Sequence, residues 1–301
     1  MPGPAVPTDF EALVEACIRR VLGPGDGAVD VGAHTGRHLR PMLEAVGPTG
    51  HVVAVEPLPD CVAALEADLA GHPGLTVVAG AVGLRREVVE LVVAVDRPEE
   101  SSLRARRVYS GPTDLATVAV EAHPLDELAA PLARVDLVKI DVEGAEALVL
   151  ESGARTLRTH RPVVTFEHGP GIADFDGTTA GLYELVEDLG YALFTIDGAA
   201  VTSAAHMEEV ADVGRLWDYV AIPTGHALLG ALPAALATEL AEGREVDAAV
   251  AEAYRTVLGR DPDTAGWAAF RPICREHGVE VVVAILRDSE EAHAREAPGS
   301  T

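Results

Sequence analysis

Four side chains able to move a proton stand just past two short apolar runs of this 301-residue chain. Asp141 and Glu143 follow Val135 to Ile140, and Glu167 and His168 follow Pro162 to Phe166. If the runs are parallel strands of one sheet, all four gather at its carboxyl edge, where open sheets bind their ligands. There they could supply a general base. Alternatively, Asp141, Glu167 and His168 could serve as oxygen and imidazole ligands for Mg²⁺ or Mn²⁺. Plainer roles stay open beside these: Glu143 as the cap of a helix beginning at Gly144, and His168 as a solvent-facing loop residue. The histidines show no metal-ligand spacing such as H-E-x-x-H.

A second group of residues points to a nucleoside. Val29-Asp30-Val31-Gly32-Ala33-His34-Thr35-Gly36 reads as a strand running into a glycine turn and then a helix from Arg37. Gly32 and Gly36 allow a sharp turn and close approach of the backbone to a ligand. Glu56, closing the run Val52 to Val55, is placed to accept hydrogen bonds from both hydroxyls of a ribose. NAD and S-adenosylmethionine both fit so far. A dinucleotide fingerprint, however, wants G-x-G-x-x-G to embrace a pyrophosphate. Here the order is Gly-x-x-x-Gly with Asp30 two residues ahead, an acid that repels a pyrophosphate and suits the ammonium of a methionine moiety. The spacing therefore favours S-adenosylmethionine, with Asp30, Gly32, His34, Gly36 and Glu56 as its binding residues.

The elements that must position these groups alternate. Ala28 to Val31, His51 to Val55, Leu75 to Ala79, Val135 to Ile140 and Pro162 to Phe166 read as strands, with helical stretches such as 37–46 and 60–70 between them. That alternation predicts right-handed βαβ units and a parallel sheet covered on both faces. Glu87 to Val95 and Thr117 to Glu121 are further strand candidates. Thr178 to Leu189, Tyr191 to Ile196 and Trp217 to Ile222 read as helix, strand and strand, and Asp9 to Leu22 as a leading helix closed by Gly-Pro-Gly. After His226 the chain becomes Ala-rich and helical, with stretches at about 226–242, 246–258, 263–276 and 278–291 and hinge points at Gly225 and Gly243. The expected domains are 1–225 and 226–301, with Glu296 to Thr301 as a frayed end.

Composition narrows the partners. The chain carries 48 acidic and 23 basic side chains, a net charge of −25, so no basic stripe for nucleic acid is expected, and anionic membranes are disfavoured for the same reason. No apolar run has the length of a spanning helix, and Met1 to Thr8 lacks the order of a signal peptide, so the expected location is cytoplasmic. Cys17, Cys61 and Cys274 are widely spaced and read as buried free thiols. Between Val95 and Thr117 lies an arginine-rich loop, with Arg97, Arg104, Arg106 and Arg107 beside Ser101-Ser102 and Tyr109. It either folds over the site to hold an anionic part of the substrate or remains a solvated loop offsetting acidic neighbours.

Several segments together resemble the FkbM-type S-adenosylmethionine-dependent methyltransferases. They are Asp30 to Gly36, Glu56-Pro57, Ser101-Ser102-Leu103, Pro124 to Leu128 and above all Val138-Lys139-Ile140-Asp141-Val142-Glu143-Gly144-Ala145-Glu146; Glu167 matches a further acidic position, and His34 stands where that family usually has asparagine. The resemblance spans about residues 27–196. It implies an α/β fold of class I methyltransferase (Rossmann-like) type, a mainly parallel sheet of about seven strands with the last antiparallel. It also implies methyl transfer to a hydroxyl oxygen of a sugar or polyketide-type acceptor. The alternative from another class is a non-catalytic binding protein that keeps the cofactor fold.

The C-terminal stretch resembles the short helical domain of unknown function DUF4214 over about 247–296, through Tyr254…Leu258-Gly259-Arg260…Pro262-Asp263…Gly266. That resemblance implies an interaction module for a protein partner or self-association. Asp261 and Asp263 lack the glutamate that a calcium loop requires. Asp263 is expected to cap the following helix.

Overall fold

The computed structural model describes residues 9–69, 71–212, 216–289 and 291–293; Met1–Thr8 and Glu296–Thr301 lie outside the described residues. Two compact units are present, one spanning Phe10–Leu236 and one from Ala237 onward.

The larger unit is built on an eight-stranded sheet. Its strands are β1 (Gly27–Val31), β2 (His51–Glu56), β3 (Leu75–Ala79), β7 (Leu137–Ile140), β8 (Val163–Glu167), β9 (Tyr191–Thr195), β10 (Ala200–Val201) and β11 (Asp218–Pro223), in the order β10-β9-β11-β8-β7-β1-β2-β3. From β3 to β8 every pair is parallel, and β11 runs antiparallel between β8 and β9. The strand count exceeds the expected seven by the two-residue β10, which pairs with β9 across a tight turn. Every residue of β1, β7 and most of β2 is buried, as helices on both faces of a parallel sheet require. The chain moves outward from β1 to β2 and β3, then returns to place β7 on the other side of β1. That reversal opens a crevice above the carboxyl ends of β1, β2 and β7.

The helices covering the sheet are α1 (Phe10–Val21), α2 (Leu39–Val46), α3 (Pro59–Asp68), α4 (Leu125–Leu128), α5 (Glu146–Ser152), α6 (Ala154–His160), α7 (Thr179–Asp188) and α8 (Ala204–Asp212). In α1 the buried face is Leu13, Val14, Ala16, Cys17 and Ile18, the one-sided apolar stripe that a 3.6-residue period produces. With few aromatics available, Val, Leu and Ala fill the core, joined by Phe166 stacked on Tyr219 at 5.5 Å. The strand candidates at 87–95 and 117–121 form a separate three-stranded sheet of β4 (Ala81–Val82), β5 (Glu87–Ala94) and β6 (Leu115–His123), ordered β4-β6-β5. Leu91 on β5 packs with Leu58 and Cys61 of the main unit. The three cysteines are free and buried.

The second unit has its own core of Val250, Tyr254, Leu258, Cys274, Val282 and Leu286. Its helices are the part of α9 (Ala231–Leu258) from Ala237 onward, α10 (Thr264–His277) and α11 (Val279–Arg287). The expected break at Gly243 is absent, and 226–242 and 246–258 are replaced by the one 28-residue helix α9. One internal glycine costs a helix only about 1 kcal/mol relative to alanine, and the surrounding Ala, Leu and Glu outweigh it. Asp263 caps α10 by accepting the Gly266 N–H at 2.7 Å. Arg260 lies over the Tyr254 ring at 5.3 Å and pairs with Glu291 at 2.7 Å. The Tyr, Arg, Asp and Gly of the motif thus hold this unit's own helices together. Among the described residues, no helix is long and apolar enough to cross a membrane.

Candidate functional site

β1 ends at Val31, and the turn after it is pinned to β2. The N–H groups of Gly32 and Ala33 both donate to the Val55 carbonyl, at 2.9 and 3.1 Å. Gly32 has φ +80°, and a Cβ there would stand 1.8 Å from the Asp141 carbonyl oxygen, so only glycine lets the ends of β1 and β7 meet. His34 follows at φ +46°, a left-handed conformation that asparagine also tolerates better than most residues. Its N–H donates to Glu56 Oε2 at 2.7 Å, while the Leu58 N–H donates to Glu56 Oε1 at 2.8 Å. Glu56 is buried, which raises its pKa against the opposing pull of those two N–H groups.

Above this turn lies a cavity enclosing about 1060 Å³, open solvent at its mouth included. Gly32, His34, Glu56, Ser102, Lys139, Asp141 and Glu143 line it, with Glu11 and His38 on the side of α1. His38 Nε2 lies 2.9 Å from Glu11 Oε2, and that hydrogen bond outweighs burial in lowering the Glu11 pKa. Lys139 is buried and works locally: its Nζ donates to the Gly32 carbonyl at 3.1 Å and to Asp141 Oδ2 at 3.3 Å, and sits 3.5 Å from Asp30 Oδ1. Burial opposes its charge, but the facing Asp141 and Asp30 raise its pKa above the ordinary value.

The sequence-derived residues divide between the cavity and its foundations. Gly32, His34, Glu56, Asp141 and Glu143 are on the cavity wall, whereas Asp30, Gly36, Glu167 and His168 are not. Asp30 is fully buried with Lys139 as its counter-charge. Gly36 lets the chain pass close to Leu65. His168 is buried rather than solvent-facing: its Nε2 meets Thr179 Oγ1 at 3.0 Å, and burial drops its pKa to about 4. Its imidazole is therefore a neutral packing group at neutral pH. The chain turns inward after β8 because the His168 N–H continues the ladder, donating to the Trp217 carbonyl at 2.7 Å.

Glu143 does not cap a helix. The Gly144 N–H is taken by Glu146 Oε1 at 2.7 Å, and the Glu143 carboxylate turns to Arg106 Nη1 at 2.8 Å. Burial pushes the Glu143 pKa up to about 7 even though Arg106 pulls it down. The Ser102 hydroxyl donates to the Glu143 carbonyl at 2.9 Å, fastening the arginine-rich loop over the site. Most of that loop's cations are engaged by neighbouring acids: Arg104 with Asp176 at 2.8 Å, Arg107 with Asp174 at 3.2 Å and Arg97 with Glu100 at 3.8 Å. Sequence spacing could not have paired Arg106 with Glu143, although an arginine-rich loop opposite an acidic strand end hinted at it.

Behind Glu143 the acids continue. Glu167 ends β8 opposite Asp218 of β11. Burial raises both pKa values, with Asp141 adding to the effect in each, and Asp218 reaches about 7. Among the described residues, no three His, Cys, Asp or Glu side chains are grouped so as to hold a metal ion.

Comparison with known proteins matches residues 30–193 to the methyltransferase FkbM domain. No curated protein matches the chain. Among solved structures, a methyltransferase FkbM from Methylobacillus flagellatus KT aligns over 71% of this chain and 55% of its own length, at 13% identity and a TM-score of 0.40. Fibrillarin from Aeropyrum pernix, solved with natively bound S-adenosyl-L-methionine, aligns over 73% of this chain and 85% of its own, at 14% identity and a TM-score of 0.39. The family match covers more than half of the chain and the segment that builds the cavity wall, so this chain belongs to the methyltransferase FkbM domain family.

Proposed function

We propose that this chain is an S-adenosylmethionine-dependent O-methyltransferase that acts on a hydroxyl group of a sugar or polyketide-type small molecule. The observation that carries the cofactor assignment is the state of Glu56. A carboxylate offers about four acceptor sites, and the N–H groups of His34 and Leu58 use two. The remaining capacity lies at the cavity wall, suited to the paired hydroxyls of a ribose. Gly32, with no side chain, allows close approach beside it. Asp141 and Glu143 on the same wall would repel the pyrophosphate of a dinucleotide, which supports the sulfonium cofactor over NAD.

Bound there, S-adenosylmethionine supplies a methyl carbon on a positively charged sulfur, already activated for attack by oxygen. The chain's own task is to orient the acceptor and take its proton. Glu143 suits that task, because it is on the cavity wall and burial has brought its pKa to about 7, near the working pH of a general base. Arg106 holds its carboxylate in place, and Lys139 ties Asp141 to the turn.

The test is incubation with S-adenosylmethionine and a panel of hydroxylated sugars and polyketides, followed by magnetic resonance of any methylated product. A methyl group on oxygen supports the proposal. A methyl group on carbon or nitrogen rejects oxygen as the acceptor.

A further inference from the structure

Beside the cofactor cavity lies a small chamber that shares Glu143 and Arg106 with the proposed mechanism but whose Glu146 and Glu167 that mechanism does not use. Glu143, Glu146, Glu167, Arg106 and Trp217 line it, together with the backbone of Gly169 to Gly171. It has room for about one water-sized group. Its one lining cation among the described residues, Arg106, is already taken by Glu143 at 2.8 Å, with Glu100 at 4.0 Å. Glu146 is 2% exposed, and while its Oε1 accepts the Gly144 N–H, its Oε2 has no hydrogen-bond partner. A buried carboxylate oxygen without a partner is costly. Burial accordingly pushes Glu146 up to about 8 and Glu167 also upward.

We infer that this chamber is the acceptor's second anchoring point and takes a primary ammonium group, so that the acceptor of the proposed methyl transfer carries a protonated amine as well as its hydroxyl. Three observations select that chemistry. The wall has two carboxylates beyond the one that Arg106 neutralises. The space fits an –NH₃⁺ group, about the size of a water molecule, and excludes a guanidinium or trimethylammonium. Trp217 also lines the chamber, an aromatic ring of the kind that attracts cations. The inference rests on the methyltransferase reading for what stands in the adjoining cavity.

The test uses the full chain loaded with S-adenosylhomocysteine, whose binding is first established by calorimetry. Saturation-transfer magnetic resonance then compares ethanolamine, ethylene glycol of the same size without charge, and choline of the same charge with a larger head. The expected result is saturable binding of ethanolamine alone. Affinity should fall at least tenfold in Glu146→Gln, whose amide oxygen can still accept the Gly144 N–H, and likewise in Glu167→Gln. Equal binding of ethylene glycol, no binding of ethanolamine, or affinity unchanged in both variants overturns the ammonium site while leaving the cofactor assignment intact. Failure of S-adenosylhomocysteine to bind at the first step rejects the cofactor assignment, and with it the anchoring role proposed here.

Discussion

Glu56 accepts the backbone N–H of His34 at 2.7 Å, so the residue proposed to hold the ribose also shapes the turn that lies beside it. Binding and local structure are joined in one carboxylate. Glu56→Ala should therefore weaken S-adenosylhomocysteine binding at least tenfold, since each charge-assisted hydrogen bond is worth about 1.5–3 kcal/mol. It should also lower stability, because the N–H groups of His34 and Leu58 lose their acceptor. Calorimetry and urea unfolding read the two effects separately, and an unchanged affinity would move the ribose contact elsewhere.

Two glycines with nearly the same backbone angle should respond very differently to alanine. Gly32 at φ +80° has the Asp141 carbonyl in the way of a Cβ, whereas Gly225 at φ +83° has nothing within 4 Å. Gly225→Ala should cost only the left-handed strain of about 1–2 kcal/mol. Gly32→Ala adds a backbone collision and should cost on the order of 3 kcal/mol or more, with loss of cofactor binding. Comparable melting shifts for the two would show that β1 and β7 can separate at little cost.

The pH dependence of turnover should report Glu143. A base must be ionised to accept a proton, so the rate should fall as pH drops through about 7. Arg106 pulls that pKa down, and Arg106→Met should move the midpoint to higher pH. A midpoint that stays put in this variant would assign the proton to another group. His168→Gln is the companion measurement. Its ring lies off the cavity wall, so turnover should change by less than about threefold; a loss of 10²-fold or more, the scale of general-base removal, would return the role to histidine.

Stability should slope with pH because of Glu146. Its pKa is about 8 in the folded chain against an ordinary 4.5, so the folded state holds the proton more tightly. The stability this gives is present below about 4.5 and is lost as pH rises toward about 8. Glu146→Gln should reduce the slope of urea-unfolding stability over that window, leaving the share that Glu143, Glu167 and Asp218 contribute with the same sign. A slope identical to the parent's would place the titrating group elsewhere.

Strand ends were the legible part of this molecule. The short apolar runs of β1, β2 and β7, the first followed by Gly32, the second closed by Glu56 and the third followed by Asp141 and Glu143, were enough to bring these four residues to one cavity. Contacts across long separations were not legible, because Arg106 reaches Glu143, and Asp218 faces Glu167, through a loop and an antiparallel strand whose placement no local pattern encodes. His168 looked like a loop residue because its burial depends on a ladder bond to Trp217. Asp30 looked like a ligand contact because the sequence does not show that Lys139 lies beside it. In α9, Gly243 looked like a hinge because a weak helix-breaking signal is readable and the helix-forming residues that override it act only as a sum.

The central claim is that the cavity over Gly32 and Glu56 is an S-adenosylmethionine site, and calorimetric titration of the full chain tests it most directly. S-adenosylhomocysteine should saturate one site per chain, and NAD under the same conditions should give no binding heat. Binding of NAD in preference to S-adenosylhomocysteine would contradict the account.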